Sequence, residues 1–223
     1  MHDVPYVTAK NCGPEVTAVM TRVCSEVRQT VPLLPCGVQV LAGNNESALA
    51  VALSSGFQFI RAEGFVFGHV ADEGIMEACA GPLLRYRRAI GAEHIFVFTD
   101  IKKKHCAHAI TADVDVVGTA KAAEYFLSDG IIITGQATAD PPSVKEYHSV
   151  KQSVSLPILI GSGVTASNVQ QYTGVNGFIV GSHFKVEGHW KANIDRQRTQ
   201  KFMDNIHKLR LEIVSQTMGE KCC

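Results

Sequence analysis

The chain has 223 residues, of which 46% are hydrophobic, and its 21 Lys plus Arg balance its 21 Asp plus Glu. This length and apolar content suffice for the core of one α/β domain, which excludes intrinsic disorder. The zero formal net charge argues against nucleic acid as the main partner, and no apolar run is long enough to span a membrane.

The cysteine content and the first residues of the chain indicate its compartment. Seven cysteines form an odd set without a C-x-x-C pair, which argues against an oxidised disulfide framework and favours a reducing environment. Residues 1–6 lack the basic segment and the apolar segment of a signal peptide. We therefore expect an intracellular, cytoplasmic protein, with organelle targeting only in a longer form.

Apolar runs typical of buried strands alternate with helix-like stretches along the whole chain. The predicted strands cover residues 38–41, 57–62, 94–101, 130–134, 156–160 and 177–180. The predicted helices cover residues 15–29, 46–54, 79–90, 114–128, 143–153, 166–172 and 196–215, and Asn45 is expected to cap the second of them. Strands separated by helices pair in parallel, so residues 1–223 are predicted to form one domain.

The number of strands indicates the kind of α/β fold. Six strands, together with the end of a seventh at residues 3–7, are one short of a closed eight-stranded barrel. We therefore predict a (β/α)8 TIM-type barrel that is truncated at its N terminus, as in a truncated isoform or an incomplete gene model. The alternative is a doubly wound parallel sheet, which needs no further strand but usually binds phosphate near its first strand.

Two segments near the C-terminal end of the chain carry the strongest functional signal. They are PILIGSGV at residues 157–164 and GFIVGS at residues 177–182, each an apolar strand that ends in glycine and serine. Such ends expose backbone N–H groups, and the helix predicted over residues 166–172 would point its positive end at the same place. The pair predicts a site for phosphate or another anion; the alternative is two tight turns without a ligand.

The segment FTDIKKKH at residues 98–105 is the richest in ionisable side chains. With a period of two along a strand, Asp100, Lys102 and Lys104 would share one face. A carboxylate and an ammonium at a barrel mouth would form an acid/base pair in which each shifts the pKa of the other. The alternative is a solvated lysine run with Asp100 as a structural partner.

Further carboxylates lie at the predicted ends of other strands. Glu63 and Asp3 are candidates for general acid/base work or for holding a divalent metal, although Arg61 would be a structural partner for Glu63. His105 and His108 have a spacing that can share a metal, but no upstream residues complete a zinc-like set. We therefore predict no metal site there, and no cofactor is indicated.

Five segments, taken together, resemble the BtpA family. They are MHDVPY at 1–6, FTDIKKKH at 98–105, IITGQAT at 132–138, IGSGVT at 160–165 and IVGSHFK at 179–185. The resemblance covers essentially the whole chain and implies a barrel related to the ribulose-phosphate-binding group, with a further N-terminal segment. It also implies that phosphate is held by Gly161, Ser162, Gly163, Gly181 and Ser182.

Two functions are expected from the residues and the resemblance. The first is an enzyme acting on a phosphorylated sugar or nucleoside-like molecule, with Asp100 as base or metal partner, Lys102 as acid or electrophile, and Glu63 or Asp3 as second carboxylate. The second is a non-catalytic assembly or stability factor, like the photosystem I biogenesis role associated with the family. A phosphorylated small molecule is the expected ligand, and a homo-oligomer is compatible with either function.

Overall fold

The computed structural model describes residues 4–135 and 140–220, with side chains described to residue 215. Six α-helices are formed in this part of the chain: α1 (Pro14–Thr30), α2 (Asn45–Ser55), α3 (Ala80–Ala89), α4 (Val116–Tyr125), α5 (Val144–Lys151) and α6 (Arg196–Glu220). The strands are β1 (Gly37–Val38), β2 (Phe59–Ala62), β3 (His69–Ala71), β4 (Gly74–Met76), β5 (Phe96–Ile101), β6 (Cys106–Ala107), β7 (Gly130–Thr134), β8 (Ile158–Gly161) and β9 (Gly177–Ile179).

The main sheet contains the six predicted strands in the order β1-β2-β5-β7-β8-β9, and all five neighbouring pairs are parallel. The order follows the chain without a reversal, so the sheet lacks the switch point of a doubly wound fold. Strands added successively in one direction, each through a crossover, build a barrel wall. The predicted TIM-type α/β architecture is confirmed, with these strands forming a half-barrel.

Residues 4–7, the described part of the expected seventh strand, are not in the sheet. The carbonyl of Val7 accepts a hydrogen bond from the N–H of Ala42 at 3.2 Å, beyond the end of β1. The neighbouring edge strand is also shorter than the predicted 38–41, because β1 pairs on one side only and leaves the ladder after Val38.

A second, antiparallel sheet of order β4-β3-β6 was missed by the sequence analysis. Its strands are two or three residues long, too short for a period to be read. The β3–β4 hairpin follows the C-terminal end of β2, and β6 follows that of β5. The small sheet therefore joins the ends of two neighbouring barrel strands.

The α-helix predicted over residues 166–172 is wrong, since this segment forms only a 3-10 turn, Val169–Tyr172. The side chain of Asn168 accepts from the N–H of Thr165 at 2.8 Å and donates to the carbonyl of Gly163 at 2.8 Å. These bonds hold the backbone in a loop where the predicted helix would begin, so residues 166–172 supply no α-helix dipole to the glycine-serine ends.

The two faces of the main sheet differ in chemistry. Side chains facing the helices form the apolar core, in which Ile60, Val97, Ile131 and Ile160 are fully buried against residues such as Leu49. The alternating residues face the concave side, where the polar groups described below are found. None of the helices within the described ranges is long and apolar enough to cross a membrane.

Candidate active site

The concave face carries aromatic rings near the start of the strands and charges near their C-terminal ends. Phe59 and Phe98 meet edge to face with ring centroids 5.5 Å apart. Gly37 and Gly130 leave room for these rings, since a Cβ at either glycine would collide with one of them. Two residues further along β2 and β5, the same face presents Arg61 and Asp100.

Arg61 and Asp100 form a two-pronged ion pair across β2 and β5. Arg61 Nε donates to Oδ1 and Oδ2 of Asp100 at 3.1 and 3.0 Å, and Nη2 donates to Oδ1 at 2.9 Å. The Asp100 side chain is 1% exposed and that of Arg61 20%. The structure thus pairs Arg61 with Asp100 and not with Glu63, and Nη1 of Arg61 makes no hydrogen bond to a described residue.

Arg61 also reaches the end of β8. A Cβ built on Gly161 would lie 3.8 Å from Nη2 of Arg61 and 3.0 and 3.3 Å from side-chain carbons of Ile132 and Thr134. Gly161 is therefore small because the concave face is crowded at this point. The guanidinium that pairs with Asp100 on β5 therefore also lies close to the end of β8.

Glu63 lies one residue past β2 and is held on all sides. Its carboxylate accepts from Gln39 Nε2 at 2.9 Å and from the Gly43 N–H at 3.0 Å, and it pairs with Lys103 Nζ at 3.1 Å. Burial raises the pKa of the Glu63 carboxyl, while the nearby ammonium of Lys103 lowers it in part. A buried carboxyl with a raised pKa is suited to carry a proton.

Asn45 does not cap α2 as expected. Its amide donates to the Glu63 carbonyl at 2.7 Å, and its carbonyl oxygen accepts from the Glu63 N–H at 3.2 Å. Asn44 occupies the N-cap position without a side-chain hydrogen bond to the helix. The local sequence predicts a backbone N–H of α2 as the partner of Asn45, whereas Glu63 at the end of a strand distant in sequence satisfies both polar atoms of the side chain.

Lys103, which was not among the predicted residues, is the buried cation of this region. Its amine lies 3.1 Å from Glu63 and 3.6 Å from Glu73. Burial lowers the pKa of Lys103, but the charges of its partners raise it by more, so the net direction is upward. The ion pairs connect β2, the β3–β4 turn and the segment after β5.

The predicted common face of Asp100, Lys102 and Lys104 is wrong, because β5 ends at Ile101 and Lys102 has a φ of 46°. Lys102 Nζ donates to the Thr111 carbonyl at 2.9 Å. Lys104 is half-buried, and burial together with the Arg61 charge lowers the pKa of its amine. It makes no ion pair with a described residue.

A cavity of about 20 Å³ lies under the small sheet, with Asp100, Lys103, His69 and His108 in its wall. The Nε2 atom of His69 is buried, and no residue within the described ranges forms a hydrogen bond with it. Burial, reinforced by the charge of Lys103, lowers the pKa of His69 to about 4. The volume suits about one water molecule.

The described residues contain no cluster of three or more His, Cys, Asp or Glu side chains that could hold a metal ion.

The predicted phosphate residues lie at the ends of two paired strands, with Gly161 opposite Ile179 in the β8–β9 ladder. Ser162 and Gly163 have φ values of 72° and 64°, which turn the chain sharply after β8. The N–H groups of Gly163 and Ser182 donate to no described residue. A Cβ on Gly181 would meet nothing within 4 Å, so open space adjoins this second loop.

Two of these loop residues also have structural roles. Ser162 Oγ accepts from the Gly135 N–H at 3.3 Å and donates to the Asp140 carbonyl at 3.3 Å. A Cβ on Gly163 would collide with the backbone of Asp140 and Pro141. The first loop is therefore packed against the segment after β7. Asp3 lies outside the described residues.

Comparison with known proteins identifies relatives over nearly the whole chain. The family model described as the BtpA family matches residues 1–208. An uncharacterized mitochondrial protein of Caenorhabditis elegans is 45% identical over 214 residues, covering 94% of this chain and 77% of that protein. The Photosystem I biogenesis protein BtpA of Synechocystis is 31% identical over 204 residues, covering 91% of this chain and 70% of that protein.

Solved structures share the architecture at low identity. Thiamine phosphate pyrophosphorylase from Pyrococcus furiosus gives a TM-score of 0.57 at 15% identity, covering 89% of this chain and 80% of that one. N-(5'-phosphoribosyl)anthranilate isomerase from Pyrococcus furiosus gives 0.57 at 12% identity, covering 84% and 80%. Both likenesses establish the fold alone, that of an α/β barrel with a parallel sheet.

Proposed function

The chain belongs to the BtpA family, and we propose that it is an enzyme acting on a phosphorylated sugar or nucleoside-like small molecule. The phosphate would lie between the loops after β8 and β9, at Gly161, Ser162, Gly163, Gly181 and Ser182. Two of the solved barrels that share the fold have phosphorylated compounds in their names, which supports this ligand class.

One observation carries the proposal. The Arg61 guanidinium is fixed by Asp100 at the ends of β2 and β5, and its Nη2 also lies 3.8 Å from where a Cβ of Gly161 would be. The loop that would bind phosphate is thus adjacent to a partly buried, oriented cation with unused donors. This places a charge that can stabilise a developing oxyanion beside the group that anchors the substrate.

The predicted catalytic residues would then have different roles. Asp100 is a positioning residue in this proposal, because its carboxylate is occupied by Arg61. Glu63, whose pKa is raised by burial, would carry a proton. Lys102 would hold the loop after β5 in place over the strand ends through its hydrogen bond to the Thr111 carbonyl. Asp3 stays a candidate second carboxylate.

An intracellular location is part of the same proposal, because five cysteines in the described part of the chain are free.

Substitutions of Gly181 test the phosphate site, since the space beside it is open. We expect glucose 6-phosphate or a nucleoside monophosphate to raise the melting temperature of the wild type. Gly181→Ala should retain the shift, whereas Gly181→Asp should lose it because a carboxylate would repel the phosphate. Equal shifts in the two variants, or none in the wild type with any of the compounds, would contradict the proposal.

An assembly factor is the second candidate, favoured by an exposed apolar stripe on α1. Val19, Val23 and Val27 follow one another at helical spacing and are 48%, 47% and 43% exposed. A relative bears the name Photosystem I biogenesis protein. In this case the chain would migrate with a larger complex on a native gel, and Val23→Glu would abolish this migration while Gly181→Asp would not. A homo-oligomer formed through the stripe would also be disrupted by Val23→Glu, and a native gel of the purified chain alone would show this.

A further inference from the structure

A second polar cleft, of about 950 Å³, opens between the C-terminal ends of β5 and β7. Lys104 lines one side of it and Thr134 lies at its floor, while the first residues of α4 and α5 form the far wall. We call this space the β5–β7 cleft. It is separate from the loops after β8 and β9, none of whose residues line it in the described part of the chain.

Lys104 is a half-buried cation that forms no ion pair with a described residue. Asp100 is occupied by the guanidinium of Arg61, and Glu63 pairs with Lys103. Each buried carboxylate near the cleft thus already has a cation, and the Lys104 amine has no carboxylate of its own among the described residues. A half-buried ammonium in that position is a ready partner for an anionic ligand group.

Thr134 provides an independent sign that a ligand group binds in the cleft. It ends β7, is 8% exposed, and its Oγ1 atom is buried without a hydrogen-bond partner among the described residues. Buried hydroxyls in folded proteins are nearly always hydrogen-bonded, so an orphan in the wall of a cleft indicates a missing partner. The α4 and α5 N termini, capped by Asp115 and Ser143, add their positive dipole ends to the same wall.

We propose that Lys104 and Thr134 hold a second anionic group, a carboxylate or a phosphoryl group, of the substrate whose phosphate lies at the β8–β9 loops. This inference rests on the proposed function and narrows its substrate class to molecules with two anionic groups. Thr134 pairs with Gly161 in the β7–β8 ladder. Strands β5 and β8 are two strand spacings apart, about 10 Å, which a five- or six-carbon sugar with an anion at each end can span.

Three probes separate the alternatives: glucose 6-phosphate with one anionic group, 6-phosphogluconate with an added carboxylate, and glucose 1,6-bisphosphate with an added phosphate. Calorimetric titration of the wild type should show at least one two-anion probe binding about tenfold more tightly than glucose 6-phosphate, as expected for one charge-assisted hydrogen bond. The probe that gains identifies the second group as carboxylate or phosphoryl.

The variants assign that gain to the cleft. Lys104→Met should abolish the tenfold preference for the two-anion probe and leave the affinity for glucose 6-phosphate unchanged. Thr134→Val should reduce the preference. Lys121→Met, on the exposed side of α4, is the control and should preserve the preference. A preference that persists in Lys104→Met, or its absence in the wild type, overturns the second site. The proposed phosphate site fails separately, if Gly181→Asp binds glucose 6-phosphate as the wild type does.

Discussion

The Arg61–Asp100 pair predicts a large effect from a change of one charge. Asp100→Asn keeps the size of the side chain but leaves Arg61, whose side chain is 20% exposed, without its carboxylate. Removing one partner of a buried pair typically costs about 3–5 kcal/mol, and the partial exposure of Arg61 places the expected loss near about 3 kcal/mol. For a chain of this size, that lowers the melting temperature by roughly 6–12 °C.

A double-mutant cycle distinguishes a pair from two independent contacts. Arg61→Met combined with Asp100→Leu replaces both charges by apolar groups, so the double variant should be more stable than either single variant in urea unfolding. Asp129→Asn is the control, because the Asp129 side chain is 27% exposed whereas that of Asp100 is 1% exposed, so the loss of its pair with Arg87 should cost less. Additive losses in the cycle would refute the view that the two side chains act as one unit.

Three further predictions follow from single groups. His69 has a pKa of about 4 in the folded state and 6.5 in the unfolded state. The free energy of unfolding should therefore be constant above pH 6.5 as far as His69 is concerned and fall by about 3 kcal/mol as the pH drops to 4. Urea unfolding should show this decrease for the wild type and not for His69→Phe. Acylation of Lys104, followed by peptide mass spectrometry, should have a midpoint below pH 10.5, and a midpoint above it would contradict the described environment. Gly163→Ala should destabilise by about 2 kcal/mol or more through backbone collision at positive φ, and Gly181→Ala by less than about 1 kcal/mol.

The parallel strands and their order could be predicted because each is a short apolar run between helical stretches. Gly130–Thr134 is buried at every residue and was predicted with the observed bounds. The small sheet could not be predicted, since β3, β4 and β6 are held by pairing with distant segments and not by a local pattern. The turn at Val169–Tyr172 was missed because the side-chain bonds of Asn168 compete with the helix.

The sequence predicted which candidate site residues lie at strand ends, but not which side chains they pair with. Asp100 and Glu63 lie where the sequence placed them, at the ends of β5 and β2. Their partners depend on rotamers and on where each strand stops. Arg61 pairs with Asp100 and not with Glu63, and Lys103 reaches Glu63 because β5 ends at Ile101 and the chain turns at a positive φ. Strand periodicity cannot reveal a side chain that follows such a turn.

Backbone amide chemical shifts test the central claim, phosphate binding at the β8–β9 loops, most directly. Inorganic phosphate titrated into ¹⁵N-labelled protein should shift the resonances of Gly163 and Ser182, whose N–H groups donate to no described residue. Gly181→Asp should suppress these shifts. Shifts that appear only around Lys102–Lys104, or that survive in Gly181→Asp, would show that phosphate binds elsewhere and contradict the proposed site.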